Sequence, residues 1–378
     1  METSKRWNKL CWLFVCLLVG MPLWAVDPVV SNVRSVQRPG TRLVDITYDV
    51  ADSDSPTVGV AVEVSADSGV TYTVPAESFT GDVGNGIKPG TGKRVVWDAK
   101  ADWPNKYSSK VRFRVLVSDQ WLAPAGMALI PAGPFQMGDD RVVGPEHTVT
   151  VSAFAMNKWE VSIELWESVR AWGNAHGYDL VAGGSFGAKH PVYNVNWYDV
   201  VKWNNARSEK EGKVPAYYED VAMTQVYRGG EKAPAGVKWD AGYRLPTEAE
   251  WEKAARGGVA GKLYPWGTDE ISADLANYNA SDKGKTVPTG SYGANGYGLY
   301  DMAGNVFEWT WDWYGDYAQA AQADPRGPTS GSSRVIRGGG WDYFAGDCRV
   351  AFRFFSSLIP GGRGNFLGFR SVLPPGQP

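Results

Sequence analysis

Histidine and cysteine are scarce in this chain, with three of each among 378 residues. So few histidines exclude a multi-histidine metal centre, because imidazole-based sites need several rings converging on one ion. His147, His176 and His190 are scattered, with no i, i+4 pair and no adjacent carboxylate pattern, and read as structural residues. Basic excess is also lacking: 38 Lys and Arg stand against 41 Asp and Glu, for a formal charge of -3. A chain without surplus cations does not neutralise phosphates, so nucleic acid is not an expected partner. Long apolar runs are missing except for Leu10 to Leu23, which is too short to span a bilayer comfortably.

That run has a meaning of its own. Lys5, Arg6 and Lys9 precede it and Ala25 follows it, the order of charge, apolar core and small residue found in secretory signals. The expectation is a signal peptide over 1–25 and an exported mature protein, periplasmic or extracellular, with no membrane span left after cleavage. Cleavage would remove Cys11 and Cys16 and leave Cys348 alone. One thiol cannot form an intrachain disulfide, so the fold must be held by packing.

What is abundant is aromatic. Trp and Tyr number 18 each, beside 45 Gly and 23 Pro. Such a chain suggests a compact, turn-rich fold braced by large rings. Residues 27–118 read as all-β. Val44, Ile46, Tyr48 and Val50 alternate with polar residues, and Val58, Val60, Val62 and Val64, then Val111, Phe113, Val115 and Val117, repeat the period-two spacing. Period-two runs between turn clusters predict a small Ig- or fibronectin-like sandwich. No acid pair, nucleophile or ligand cluster is legible in it.

The texture changes between Trp121 and Ala132, and 122–373 reads as a second domain rich in Trp, Gly and Asn. Two helices are predicted there. Ser162 can cap a segment in which Val161, Leu165, Val169 and Trp172 share a face. Thr247 and Glu250 form a capping box opening 247–256, and Gly257 and Gly258 end it.

The second domain carries a series of motifs. They are Met127–Gly138 (MALIPAGPFQMG), Tyr243–Trp251 (YRLPTEAEW), Tyr264–Gly267 (YPWG), Asn295–Asn305 (NGYGLYDMAGN) and Phe307–Trp309 (FEW). Arg337–Trp341 (RGGGW), Arg349–Arg353 (RVAFR) and Leu367–Arg370 (LGFR) complete it. In this order they resemble the formylglycine-generating enzyme family, the sulfatase-modifying factors. The resemblance implies an α+β, C-type-lectin-like domain. It also implies an oxidase that converts a sulfatase cysteine to formylglycine with O2 and a copper ion on two cysteine thiolates.

The resemblance does not reproduce that copper site. Counting forward from Arg337, the family's serine position is Gly340, its first cysteine is Tyr343 and its second is Cys348. Counting backward from Arg349–Arg353 puts the second cysteine at Ala345 instead. Phe307 stands where the family usually has Trp. Cys348 is therefore the one catalytic candidate, with a small buried residue as the other reading. Copper is expected only if the oxidase reading holds.

The resemblance also implies two calcium ions. One set is Asp301, Gly304, Val306 and Glu308, giving carboxylate and carbonyl oxygens of the hard kind Ca2+ takes. The other reading of Glu308 is an ion pair with a nearby Arg. The second set begins with Asn277 and Tyr278, with a carboxylate expected near Ser281 or Asp282. A ligand cleft is expected from Trp341, Tyr343, Arg353 and Arg370, holding an extended peptide or another polar ligand. The other reading of the arginines is core bracing on a carboxylate such as Asp312. Two functions result: an exported, calcium-braced binding scaffold, or the oxidase with a sulfatase as partner.

Overall fold

The computed structural model describes residues 27–375 apart from 54, 119–121, 319 and 355–358. The proposed signal segment and the expected boundary near Trp121 lie outside the described residues. The chain is α+β, dominated by short strands and loops.

The N-terminal part pairs two antiparallel sheets. One has the order Val29–Gln37, Leu43–Ala51, Gly90–Asp98, Phe79–Gly81; the other has Gly84–Ile87, Val58–Ser65, Arg112–Ser118. The alternation read from sequence is the burial pattern. Ile46, Tyr48 and Val50 point inward from one strand and Val58, Val60, Val62 and Val64 from another. They enclose Val95, Trp97 and Val115 as one apolar cluster. Pairs such as Val62 opposite Val115 and Val44 opposite Trp97 fix the register, because a one-residue slip would turn each valine to water.

From Met127 onward the sheets are small. Phe154–Asn157 lies between Met127–Ile130 and Val372–Leu373, so the start and end of this part pair on one strand. Phe307–Trp313 lies between Arg334–Arg337, antiparallel, and Leu367–Gly368, parallel. Ile163–Ala175 is a helix capped by Ser162, and Glu248–Arg256 is a helix with the Thr247/Glu250 box and Gly257 in the left-handed conformation. Gly257 is required there: besides its φ of 60°, a Cβ would come within 2.8 Å of the Gly296 nitrogen.

A third long helix, Trp197–Lys210, escaped the periodicity argument. It opens with an Asn196/Asp199 capping box, and eleven of its residues are buried, including Trp197, Trp203, Asn204 and Asn205. A helix covered on most sides shows no polar face, so the amphipathic signal vanishes. The cap, an Asn followed three residues later by an Asp, was the legible sign.

Candidate functional site

The helix Glu248–Arg256 is the hub of the second domain, and each of its acids holds an arginine. Glu248 takes Arg353 through two bonds of 2.6 and 2.8 Å. Glu250 takes Arg244 through two bonds of 2.7 and 2.6 Å. Glu252 accepts Arg256 at 2.7 Å and also Arg337, and Arg256 reaches on to the Gly138 carbonyl. Trp251 donates its indole N–H to Glu308 at 2.7 Å, and Arg370 closes on both Glu308 oxygens at 2.7–2.9 Å. The motif segments are thus fastened to one another by charge-assisted guanidinium–carboxylate bonds between buried partners.

This arrangement corrects two expected cleft residues. Arg353 and Arg370 are 4% and 0% exposed and fully engaged. They brace the core, and their partners are Glu248 and Glu308. Asp312, the partner suggested from sequence, instead accepts the Glu248 backbone N–H at 2.7 Å. Burial, with Glu248 and Glu250 adding repulsion, pushes its carboxyl up to about 8. A carboxyl raised in the folded state binds its proton more tightly there than when unfolded. Stability from this group is then lost as pH rises from about 4 through 8. Asp312→Asn keeps an acceptor for the Glu248 amide and is expected to raise the melting temperature at pH 8 by at least about 2–4 °C. The shift at pH 5 should be much smaller; equal shifts at both pH values would refute this.

Cys348 does not fit a catalytic role. It is fully buried among Tyr264, Ala276, Tyr278 and Ala303. Burial, with Asp347 beside it, drives its thiol far above the ordinary range, so no thiolate forms at neutral pH. Gly339 backs onto it so closely that a Cβ there would lie 2.5 Å from Sγ.

Tyr343 and Trp341 remain accessible. The Tyr343 ring meets Phe307 at 4.7 Å, Phe366 at 5.2 Å and Phe354 at 5.6 Å between centroids. Trp341 donates to the Asn365 carbonyl at 3.2 Å and stands edge-on to Phe186, which in turn meets Tyr193. Phe186 is 42% exposed and Phe344 is 71% exposed. The position the resemblance assigns to a thiolate therefore holds a phenol set in a partly open aromatic face. Phe186, Phe344 and Phe366 were not found from sequence; the dense aromatic run 340–366 was the available sign for the last two, and Phe186 had none.

The loop around Asp301 concentrates acid. Asp301, in the left-handed conformation, accepts the Gly290 amide with Oδ2 at 2.6 Å, while its Oδ1 is buried without a partner. Burial, with Glu308 adding, pushes its carboxyl up to about 6. Glu160, another residue not found from sequence, is buried beside it and accepts Asn305 at 2.6 Å and the Val306 amide at 3.1 Å. Burial and repulsion from Asp301 and Glu308 raise it well above the usual carboxylate range. Three buried carboxyls thus share the field of one guanidinium, Arg370. Glu308 is already committed to Arg370 and Trp251, as its ion-pair reading required. Among the described residues no three His, Cys, Asp or Glu side chains converge as a ready-made metal cluster. The donor left over is Asp301, with carbonyls of its own loop.

The second expected calcium set is closed by protein partners. Asn277 donates to the Lys285 carbonyl and to Asn305 Oδ1, and its own Oδ1 accepts Ser281 at 2.8 Å. The Tyr278 carbonyl also accepts Ser281, and Asp282 faces solvent. The inward residue is a hydroxyl, so this set lacks the carboxylate a cation would need.

Comparison with known proteins places this geometry. Residues 112–374 match the sulfatase-modifying factor enzyme 1-like domain, a match that begins within the last sandwich strand. A formylglycine-generating enzyme of Streptomyces coelicolor is 35% identical over 282 residues, covering 65% of this chain and 88% of the relative. One of Mus musculus is 32% identical over 351 residues, covering 82% and 91%. Among solved structures, Treponema denticola variable protein 1 aligns with a TM-score of 0.56 at 35% identity, covering 66% of this chain and 95% of that one. CarF aligns with a TM-score of 0.54 at 28% identity, covering 66% and 98%. The fold is that of the formylglycine-generating enzymes, with its C-type-lectin-like α+β architecture.

Proposed function

We propose that this chain, which belongs to the sulfatase-modifying factor family, is an exported binding scaffold that holds an extended peptide on its aromatic face. One observation carries the reading. At the position assigned to a copper thiolate, Tyr343 stands packed with Phe307, Phe354 and Phe366, and Cys348 is sealed away with a protonated thiol. A phenol with an ordinary pKa near 10 is a poor soft-metal ligand, so the residues present do not fit the copper site. Half-exposed Trp, Tyr and Phe side chains together are the composition of a protein-recognition surface. Among the described residues no helix is long and apolar enough to cross a membrane.

The test is peptide selection on the full chain from a displayed library, followed by Trp341→Ala and Phe344→Ser. Selected peptides should bind each variant at least about 10-fold more weakly, the scale of a lost aromatic anchor worth about 1.4 kcal/mol or more. Peptides that bind both variants as well as the parent would refute the assignment.

The scaffold reading includes one calcium ion, held by Asp301 and the Gly304 and Val306 carbonyls. The unpaired Asp301 Oδ1 and the surplus of buried carboxyls over Arg370 support it. Calcium at 100 times its dissociation constant would stabilise by about 2.7 kcal/mol. Chelator is expected to lower the melting temperature of the parent but not of Asp301→Asn. A parent melting temperature indifferent to chelator and to added calcium would remove the ion from this account.

A second reading, the oxidase, is favoured by relatives of 31–35% identity that carry that name. It makes a sulfatase the partner and requires copper.

A further inference from the structure

The sandwich showed no ligand cluster in sequence, yet its fold assembles one. A cavity of about 290 Å³ opens on the sandwich beside the loop that follows the short helix Ala99–Asp102. This is at the small end of ligand-site volumes, roughly 300–1,000 Å³, with room for a single ring. Its apolar wall is Val44, Trp97, Trp103 and Phe113. Trp97 is locked edge-on to Phe113 at 5.8 Å and donates its indole N–H to Asp102 at 2.8 Å. The wall therefore stays rigid, with the half-buried Trp103 and Phe113 offered to the cavity.

The cavity rim is cationic. The rim holds Arg42 and Lys106, and no carboxylate lines the cavity. Arg42 donates to the Trp103 carbonyl at 3.3 Å and to the Lys106 carbonyl, which folds the 103–106 loop over the opening. Among the described residues neither cation pairs with an acid, whereas Arg38, Arg94 and Arg114 of the same domain each do. Two cations over an aromatic wall recruit an anion with a flat apolar face. Of the neutral rim residues Gln37, Tyr107 and Ser108, the Ser108 hydroxyl is taken by the Ala66 carbonyl and the Lys110 amide, and the Gln37 amide N–H by the Thr41 carbonyl. This leaves the Gln37 side-chain oxygen and the exposed Tyr107 phenol to meet hydroxyls.

We propose that this cavity binds an acidic saccharide, its carboxylate between Arg42 and Lys106 and its ring against Trp103 and Phe113. The site is independent of the aromatic face of the second domain, so either can fail without the other. The test titrates the full chain with D-glucuronate, D-glucose and benzoate while following the Trp indole resonances by NMR. Glucuronate should shift the Trp103 signal and bind at least 10-fold more tightly than either control. Its affinity should fall as salt rises. Lys106→Glu, at an exposed position, should weaken glucuronate at least fivefold, and Tyr107→Ala should weaken it as well, both with melting temperatures unchanged. Glucose equal to glucuronate would overturn the role of charge, and benzoate equal to glucuronate would overturn the saccharide. Absence of any shift, or full binding by both variants, would overturn the site.

Discussion

Replacing Glu308 by alanine is expected to destabilise the chain by about 3–5 kcal/mol, the scale for removing one partner of a buried ion pair. Glu308 is 1% exposed and Arg370 is 0% exposed. The substitution leaves the Arg370 Nε–H and the Trp251 indole N–H buried without their acceptor. Arg370 would keep its bonds to the Asn157, Lys158 and Tyr300 carbonyls, but without the carboxylate that pairs with it directly. The loss exceeds that of an ordinary truncation because Glu308 joins three segments: the helix Glu248–Arg256, the strand Phe307–Trp313 and the strand-end Leu367–Arg370. Glu63→Ala in the sandwich is the contrast. Its partner Arg114 is half exposed, and the expected cost is below about 1 kcal/mol. Urea unfolding of both variants, read as a midpoint change at constant slope, makes the comparison. A Glu308 effect no larger than the Glu63 effect would refute the bracing role.

The second large effect is on chemistry. The wild-type chain, supplied with copper and O2, is expected to leave a sulfatase-derived cysteine peptide unchanged. Mass spectrometry should show neither loss of sulfur nor an aldehyde. The oxidation the relatives' name denotes needs a metal on two thiolates beside the substrate thiol. Here the single described thiol is buried and protonated, and its neighbour position is a phenol. This removes the ligand set outright, so the expected rate is that of the uncatalysed peptide. The constructive counterpart is Gly340→Ser with Tyr343→Cys. Gly340 has space for a Cβ at 3.2 Å from the Tyr343 ring, tight in the parent and relieved once that ring is gone. Cu(I) binding is still expected to be weak in this variant, because Cys348 faces the Tyr264–Tyr278 cluster rather than the aromatic face. Turnover by wild type, abolished by Cys348→Ala, would restore the oxidase and refute the scaffold.

Several features were determined by the sequence alone. Period-two valines placed the sandwich strands, since side chains on a strand alternate by geometry and the apolar set must face inward. Ser162 and the Thr247/Glu250 box placed two helix starts, because a cap satisfies amide groups within three residues of itself. The cysteine inventory by itself limited thiol chemistry, and the ordered motifs carried the family. All of these are local patterns or counts.

Tertiary structure decided whatever depends on residues far apart in the chain. Arg370 meets Glu308 across 62 positions, and Arg353 meets Glu248 across 105. From sequence, an arginine in a cleft and an arginine in a core are the same letter; only burial and a carboxylate partner separate them. The same holds for Cys348, whose reactivity is set by the apolar shell that raises its pKa. The helix Trp197–Lys210 was hidden because burial on most sides erases the polar face that periodicity reads. Arg42 and Lys106 became neighbours at a cavity because strand pairing brings Leu43–Ala51 beside Gly90–Asp98 and the loop beyond it. Short-range regularity is written in the order of residues, whereas desolvation and charge pairing exist only after distant segments have packed.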